Sequence, residues 1–326
     1  MESGVCCSSN CSAPYSDCVC VFTEILYSGC CCIRGKGLKH GEEKRMDKYK
    51  FDMHVHTSET SGCGGVAAVD VVRSYHEAGY QGIMISDHYH KVYFDGLKDM
   101  DMYQKIEHYL EGYRSAKAEG ERLGLDVVLG IEFRNIETDN DFLIVGITEE
   151  FLHAFPETYN LPLKQAIDLF HEHGMLVIQA HPVRFRIQNM KDGKPFSGYR
   201  NHQMLEMLRE KPEIEEISFQ EWEEAVKNHT FEKYKFPLKL RVCRLQCEDE
   251  LDGIEVYNGN YHWAQEPEQI LQIMKRHPEY IQTSASDFHE PGHLARGGMV
   301  FNCRVKNSFE LKKALLENGI IERIQR

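Results

Sequence analysis

From residue 46 onward, short runs rich in branched and aromatic apolar residues alternate with stretches of helical periodicity, and most of these runs stop on a histidine or a carboxylate. That rhythm leaves few folds open. Strand-like runs fall at 51–57, 82–86, 126–131, 142–146, 175–179, 252–257 and 280–284, with helical stretches at 66–79, 100–123, 163–174 and 266–276 among them. A further strand at 299–305 and a helix at 308–318 close the chain. Roughly seven βα units with strands apolar on both faces predict a parallel α/β barrel. In such barrels the chemistry sits where the C-terminal strand ends converge.

The first run, Phe51-Asp52-Met53-His54-Val55-His56-Thr57, carries a carboxylate and two imidazoles at every second position. Alternation along a strand would project Asp52, His54 and His56 from one face. Two imidazoles one strand repeat apart can chelate a single ion. Taken alone, the pair reads more readily as two half-exposed strand histidines. The later strands change the balance: Asp87 and His88 follow the second, Glu132 the third, His181 the fifth, and Asp287 and His289 the last. Clusters of this size exceed what one metal needs, so a multinuclear site is expected.

The formal net charge of −13 argues against broad nucleic-acid binding, which draws on a basic surface. A small anionic substrate stays compatible with it, because local cations override the global field. No apolar run reaches the ~18 residues of a membrane helix. Eight of the 12 cysteines (Cys6, Cys7, Cys11, Cys18, Cys20, Cys30, Cys31 and Cys32) precede residue 33, so the remainder reads as a reduced, cytoplasmic protein. Residues 1–45 are expected to be a Cys-rich extension, either disordered or upstream of the true start. Gly41-Glu42-Glu43 would be encoded by a purine-rich, ribosome-binding-like stretch a few codons before Met46. Residues 185–250 break the βα rhythm and predict a helical insertion, with helical character between residues 202 and 228, emerging beside His181 either as a cap over the active face or as a peripheral decoration.

The series Asp-Met-His-Val-His-Thr (52–57), Ile-Ser-Asp-His (85–88), Gly-Ile-Glu (130–132), Ala-His-Pro (180–182), Ile-Glu-Val-Tyr-Asn (254–258) and Ser-Asp-Phe-His (286–289) resembles the polymerase and histidinol phosphatase (PHP) superfamily, in its stand-alone, bacterial-type form. The resemblance covers about residues 46–305. It implies an α/β fold, a distorted (β/α)7 TIM-like barrel, holding two or three divalent ions (zinc, manganese or iron) and hydrolysing phosphoesters. Carried across, His54, His56, Glu132 and Asp287 resemble the ligands of one ion. Glu132 bridges to a second held by His181, and His88 and His289 resemble ligands of a third. Asp52 and Asp87 resemble carboxylates that orient imidazoles.

Two positions depart from the pattern. Gly62 stands where many members have a histidine, leaving Glu59 and Cys63 as the nearest ligand-capable residues. Glu59 is favoured because a hard carboxylate suits manganese or iron as well as zinc. Asp141 replaces another family histidine as a candidate ligand. Arg134, Arg184 and Arg296 lie close behind ligands and are expected phosphate clamps, since guanidinium matches phosphate oxygens bidentately.

Together these readings predict a phosphoesterase acting on a small phosphorylated metabolite or nucleotide. A water bridging two cations is acidified to hydroxide near neutral pH, and the same ions neutralise the phosphoryl oxygens. Two other functions compete: an amidohydrolase-type C–N hydrolase, and a regulatory metal-binding protein that has lost catalysis.

Overall fold

The computed structural model describes residues 48–326 apart from 139, 192–193, 197–237, 243–244, 261–263, 266 and 318. The expectations for residues 1–45 and for a helix between 202 and 228 lie outside the described residues. Met46–Arg326 forms one compact unit.

In order, the described chain runs β1 (Tyr49–Val55), α1 (Ala68–Glu77), β2 (Gly82–Ile85), β3 (His88–His90), α2 (Lys91–Gly96), α3 (Met102–Tyr109), α4 (Glu111–Leu123), β4 (Asp126–Arg134), β5 (Phe142–Val145), α5 (Glu149–Ala154), α6 (Leu163–Glu172) and β6 (Leu176–Gln179). It continues through β7 (Arg184–Lys191), β8 (Lys194–Phe196), β9 (Leu238–Val242), β10 (Gly253–Asn258), β11 (Ala264–Gln265), α7 (Pro267–Arg276), β12 (Ile281–Ala285), β13 (Gly297–Phe301), α8 (Ser308–Leu316) and β14 (Ile320–Gln325).

The main sheet follows the order β12-β10-β6-β5-β4-β2-β1-β13-β14, with β3 continuing beside β4. It curls into a nearly closed barrel. The ends of the ring meet at the single bridge between Val55 and Phe288 and at β13, which runs antiparallel to β1. The expected parallel order holds for β1, β2, β4, β6, β10 and β12. It fails at β5, which is antiparallel to both neighbours. Only residues 135–141 separate β5 from β4, too few for the dozen-residue crossover that a parallel return needs.

Alternation along β4 shows how the barrel is filled. Val127, Leu129, Ile131 and Phe133 join the outer core with the helices, while Val128 joins an inner cluster with Phe51, Met53, Met84, Leu143, Val145 and Ile178. Gly130 gives the Met84 side chain its room: a Cβ there would lie 2.7 Å from the Met84 Cγ. Two residues further along, the same inward face carries Glu132. At the opposite end Leu311, Ala314 and Leu315 of α8 pack into the inner cluster and plug the barrel. One end is therefore sealed with apolar side chains, and the polar constellation occupies the other.

The described flanks of the insertion carry strands, and none of them joins the barrel sheet. These strands, β7, β8 and β9, form a second, antiparallel sheet with β11. The expected single helix at 100–123 is divided after Tyr109. The Thr60 hydroxyl donates to the Tyr109 carbonyl at 3.0 Å, taking the acceptor that a continuing helix would use. Tyr109 in turn donates its hydroxyl to the Asp87 carbonyl at 2.6 Å, so the break pins α3 and α4 onto the loops around the site.

Candidate metal centre

Strand β1 does not present its polar residues as simple alternation predicts. Between Asp52 and Val55 it carries one residue more than β2 opposite, a bulge. Asp52 consequently faces the outer layer, where its carboxylate accepts from the Tyr75 hydroxyl at 2.8 Å and the Ser286 amide at 3.2 Å. The expectation that Asp52 shares a face with His54 and orients an imidazole is corrected: it holds the β1 backbone through the His54 amide at 3.2 Å. Burial lifts its carboxyl to about 6 despite these hydrogen bonds. The bulge turns His54 into the barrel beside Glu132, whose Oε1 is 3.2 Å from His54 Nε2.

Around Glu132 the strand ends converge. His181 Nε2 lies 3.0 Å from Glu132 Oε1, and His88 Nδ1 2.7 Å from its Oε2. Asp287 Oδ1 sits 3.4 Å from His54 Nε2, 3.3 Å from His56 Nε2 and 3.2 Å from His289 Nδ1. His181 and Asp287 have φ of 33° and 50°, in the left-handed region that costs a non-glycine residue about 1–3 kcal/mol, a strain typical of functional positions. Among the described residues, four overlapping triads bring ligand atoms within 4.8 Å of one another: His56, His88 and His289; His54, His56 and Asp287; His54, Glu132 and His181; and His88, Glu132 and Asp141.

The donors are set up for a cation. His54 Nδ1 faces Glu255 Oε1 at 3.0 Å, and His289 Nδ1 faces the Asp287 carbonyl at 2.9 Å. Ser61 donates to Asp87 at 2.6 Å and thereby turns an oxygen lone pair to His56 Nδ1 at 3.1 Å. Each of these acceptors claims the Nδ1 proton, leaving a bare Nε2 lone pair on the metal side. Among the described residues, His54 Nε2, His56 Nε2, His88 Nδ1 and Glu132 Oε2 are buried and find no hydrogen-bond partner. Orphaned buried atoms of this kind are costly unless something occupies the space between them.

Electrostatics point the same way. Burial works against the charged forms of Glu132 and Asp287, yet the surrounding imidazoles hold both carboxyls well below their usual range. Burial and the neighbouring His289 keep His56 neutral, the form that binds metal. Burial also opposes a charge on His54, but Asp287, Glu132 and Glu255 outweigh it and draw a proton onto the ring. The carboxylates thus demand positive charge at the centre, and divalent ions bound by these residues would supply it.

Other expected residues fall as follows. Asp87 touches His56 only at 3.9 Å and acts through Ser61 and through Thr57, whose amide and hydroxyl it accepts at 2.7 Å each; burial raises its carboxyl to about 6. Glu59, favoured as a ligand, is corrected: both its oxygens accept from the Ala68 amide at 3.0 Å, capping α1 outside the cluster. Cys63, exposed on the same loop, has its Sγ 3.2 Å from His88 Nε2. Burial alone would raise its thiol, but hydrogen bonds to His289 and His88 bring it down to about 6.

Asp141 joins the cluster while accepting both prongs of Arg134, at 2.5 and 2.7 Å. Arg134 is 23% exposed at the rim. Arg184 is described by its backbone alone, paired with Gln265 in the second sheet. Arg296, expected as a phosphate clamp, donates instead to the Gly259 carbonyl at 2.9 Å and braces that loop.

Sequence reasoning missed Glu255. It is wholly buried, and besides holding His54 it accepts from the His181 amide at 2.9 Å and the Asn258 amide group at 2.8 Å. Its one visible signal was a carboxylate inside an otherwise apolar strand.

No protein-family model matches the chain, and no curated protein matches it. Among solved structures it is similar to a two-domain protein from Bacteroides vulgatus containing a PHP-like metal-dependent phosphoesterase, with a TM-score of 0.50 and 14% identity over 89% of this chain and 68% of that one. It is also similar to a metal-dependent phosphoesterase from Bifidobacterium adolescentis (TM-score 0.38, 15% identity, 81% of this chain and 95% of that one). A third is an amidohydrolase from Chromobacterium violaceum with bound sulfate (TM-score 0.38, 12% identity, 81% and 96%). At these identities the first likeness establishes a shared fold.

Proposed function

We propose that this protein is a metal-dependent hydrolase of the PHP type that cleaves the phosphoester of a small metabolite or nucleotide, using two or three divalent ions. The observation that carries the reading is the set of four overlapping His/Asp/Glu triads among the described residues, linked through His54, His56, His88 and Glu132, with unpartnered ligand atoms at the polar end of the barrel. Bound ions would supply an acidified water and neutralise charge on the phosphoryl oxygens. His54, Glu132 and His181 would hold one ion and His56, His88 and His289 the outermost, with Asp287 within reach of both.

The chain's own groups do the rest. Glu255, Asp87 and Ser61 fix which ring nitrogens face the centre, so binding spends nothing on reorienting them. Arg134, stiffened by Asp141, is the clamp candidate for a phosphate approaching from the rim. The sulfur-free hard donors of the inner positions leave zinc, manganese and iron all admissible.

Purified protein assayed for metal content and against panels of phosphomonoesters, phosphodiesters and amides tests the proposal. Metal-dependent phosphoester turnover is expected, and His54→Ala and Glu132→Gln each lower kcat/KM by about 100-fold or more, the scale of losing one transition-state-stabilising group. Turnover confined to amides would replace this reading with the C–N hydrolase. Bound metal with no turnover on any panel would replace it with a regulatory protein.

A further inference from the structure

The loop from Thr57 to Val66 is built against two candidate ligands at once. The Gly65 amide donates to the His289 carbonyl at 2.7 Å, and Ser61 Oγ accepts from the His88 amide at 3.1 Å. Internal hydrogen bonds from Ser61 to the Thr57 carbonyl and from Gly64 to the Ser61 carbonyl tighten the turn. Gly64 has to be glycine here, because a Cβ would lie 2.7 Å from the Thr57 oxygen. Cys63 sits at the tip of this turn, its Sγ directed at His88 Nε2. The second observation is independent of the cysteine. His56, fully buried, has an unpartnered Nε2, and it forms a ligand triad with His88 and His289. Three imidazoles give an ion three of the four ligands of a tetrahedral site.

We infer that Cys63 supplies the fourth, as a thiolate bound to the outermost ion beside His56, His88 and His289. The inference rests on the metal-hydrolase reading and gives the outermost position a chemistry of its own. A soft sulfur donor in an otherwise nitrogen set favours zinc or cobalt over manganese. The inner positions, lined by carboxylate and imidazole, carry no such bias. The centre is therefore chemically divided, with a soft position at its solvent edge and harder ones beneath.

Cobalt(II) loading of the full chain tests this, because a thiolate ligand gives cobalt an intense sulfur-to-metal charge-transfer band in the near ultraviolet. Wild-type protein is expected to show the band. Cys63→Ser is expected to lose it while the inner ions remain bound, with zinc affinity at the outermost position down by at least the roughly 10-fold that loss of even an outer partner costs. Cys63→His is expected to restore zinc binding without the band, which separates ligation from mere support of the loop. Equal bands in wild type and Cys63→Ser, or cobalt bound at every position with no band, would overturn the assignment and leave the hydrolase reading standing. Failure of the wild-type protein to bind any metal would overturn both.

Discussion

Three imidazoles at the barrel mouth surrender their Nδ1 protons to acceptors that belong to no ligand triad or to the backbone: Glu255 for His54, Ser61 for His56 and the Asp287 carbonyl for His289. Replacing Glu255 by glutamine keeps the shape and removes the charge. Metal affinity is expected to fall about 10- to 100-fold, measured by competition with a chelating dye; unchanged affinity would show that His54 needs no such partner. At this scale the sequence set His88, Glu132 and His181 just past expected strands, and the structure gathers all three at the polar end of the barrel. The sequence was misleading at Glu59, four residues before Cys63 in one loop. Spacing cannot say which side chain a turn aims inward, and the α1 amide at Ala68 had a prior claim on the carboxylate. Glu255 stayed hidden because it lies within a strand, where position alone gives no hint that the neighbour across the barrel is an imidazole.

Strands and helices were readable from periodicity, and their irregularities were not. The β1 bulge, which separates Asp52 from His54, leaves the apolar pattern of 51–55 intact and shows itself only in the pairing with β2. The reversal of β5 is the converse case, where the short connection from β4 was in plain view but the alternating rhythm suggested another parallel strand. On the outer layer, α1 and α4 are joined where Glu119 accepts from Arg73 at 2.7 Å and from Arg122 at 2.7 and 2.8 Å. Hydrogen bonds from the two arginines bring the Glu119 carboxyl down to about 2. A depressed folded value means that the stabilisation is complete above the ordinary carboxylate value of 4.5 and is lost as pH falls towards 2. Glu119→Gln is accordingly expected to lower Tm near neutral pH, with the gap from wild type narrowing as acid approaches pH 2. A gap independent of pH would mean that packing, not charge, joins the helices.

Seen whole, the ring of strands is continuous except at one seam. There β1 and β12 are linked through the residues that follow β12: Phe288 donates its amide to the His54 carbonyl and accepts from the His56 amide, both at 3.0 Å. Asp287 and His289 stand on one side of this seam, and His54 and His56 on the other. An ion shared among them would cross it. Metal at about 1,000 times its dissociation constant is expected to add about 4 kcal/mol of stability, read as a rise in Tm. The His56 and Phe288 amides should gain more hydrogen-exchange protection than those of the β2–β4 ladder; uniform protection would show that the seam is already fastened without metal. The order of the chain then acquires a meaning in time. His54 and His56 leave the ribosome early, whereas Asp287 and His289 emerge only when the barrel is nearly complete. A growing chain can gather part of the donor set but cannot fasten its first strand to its last, so under the proposed function full metal capture would be the closing event of the protein's own assembly.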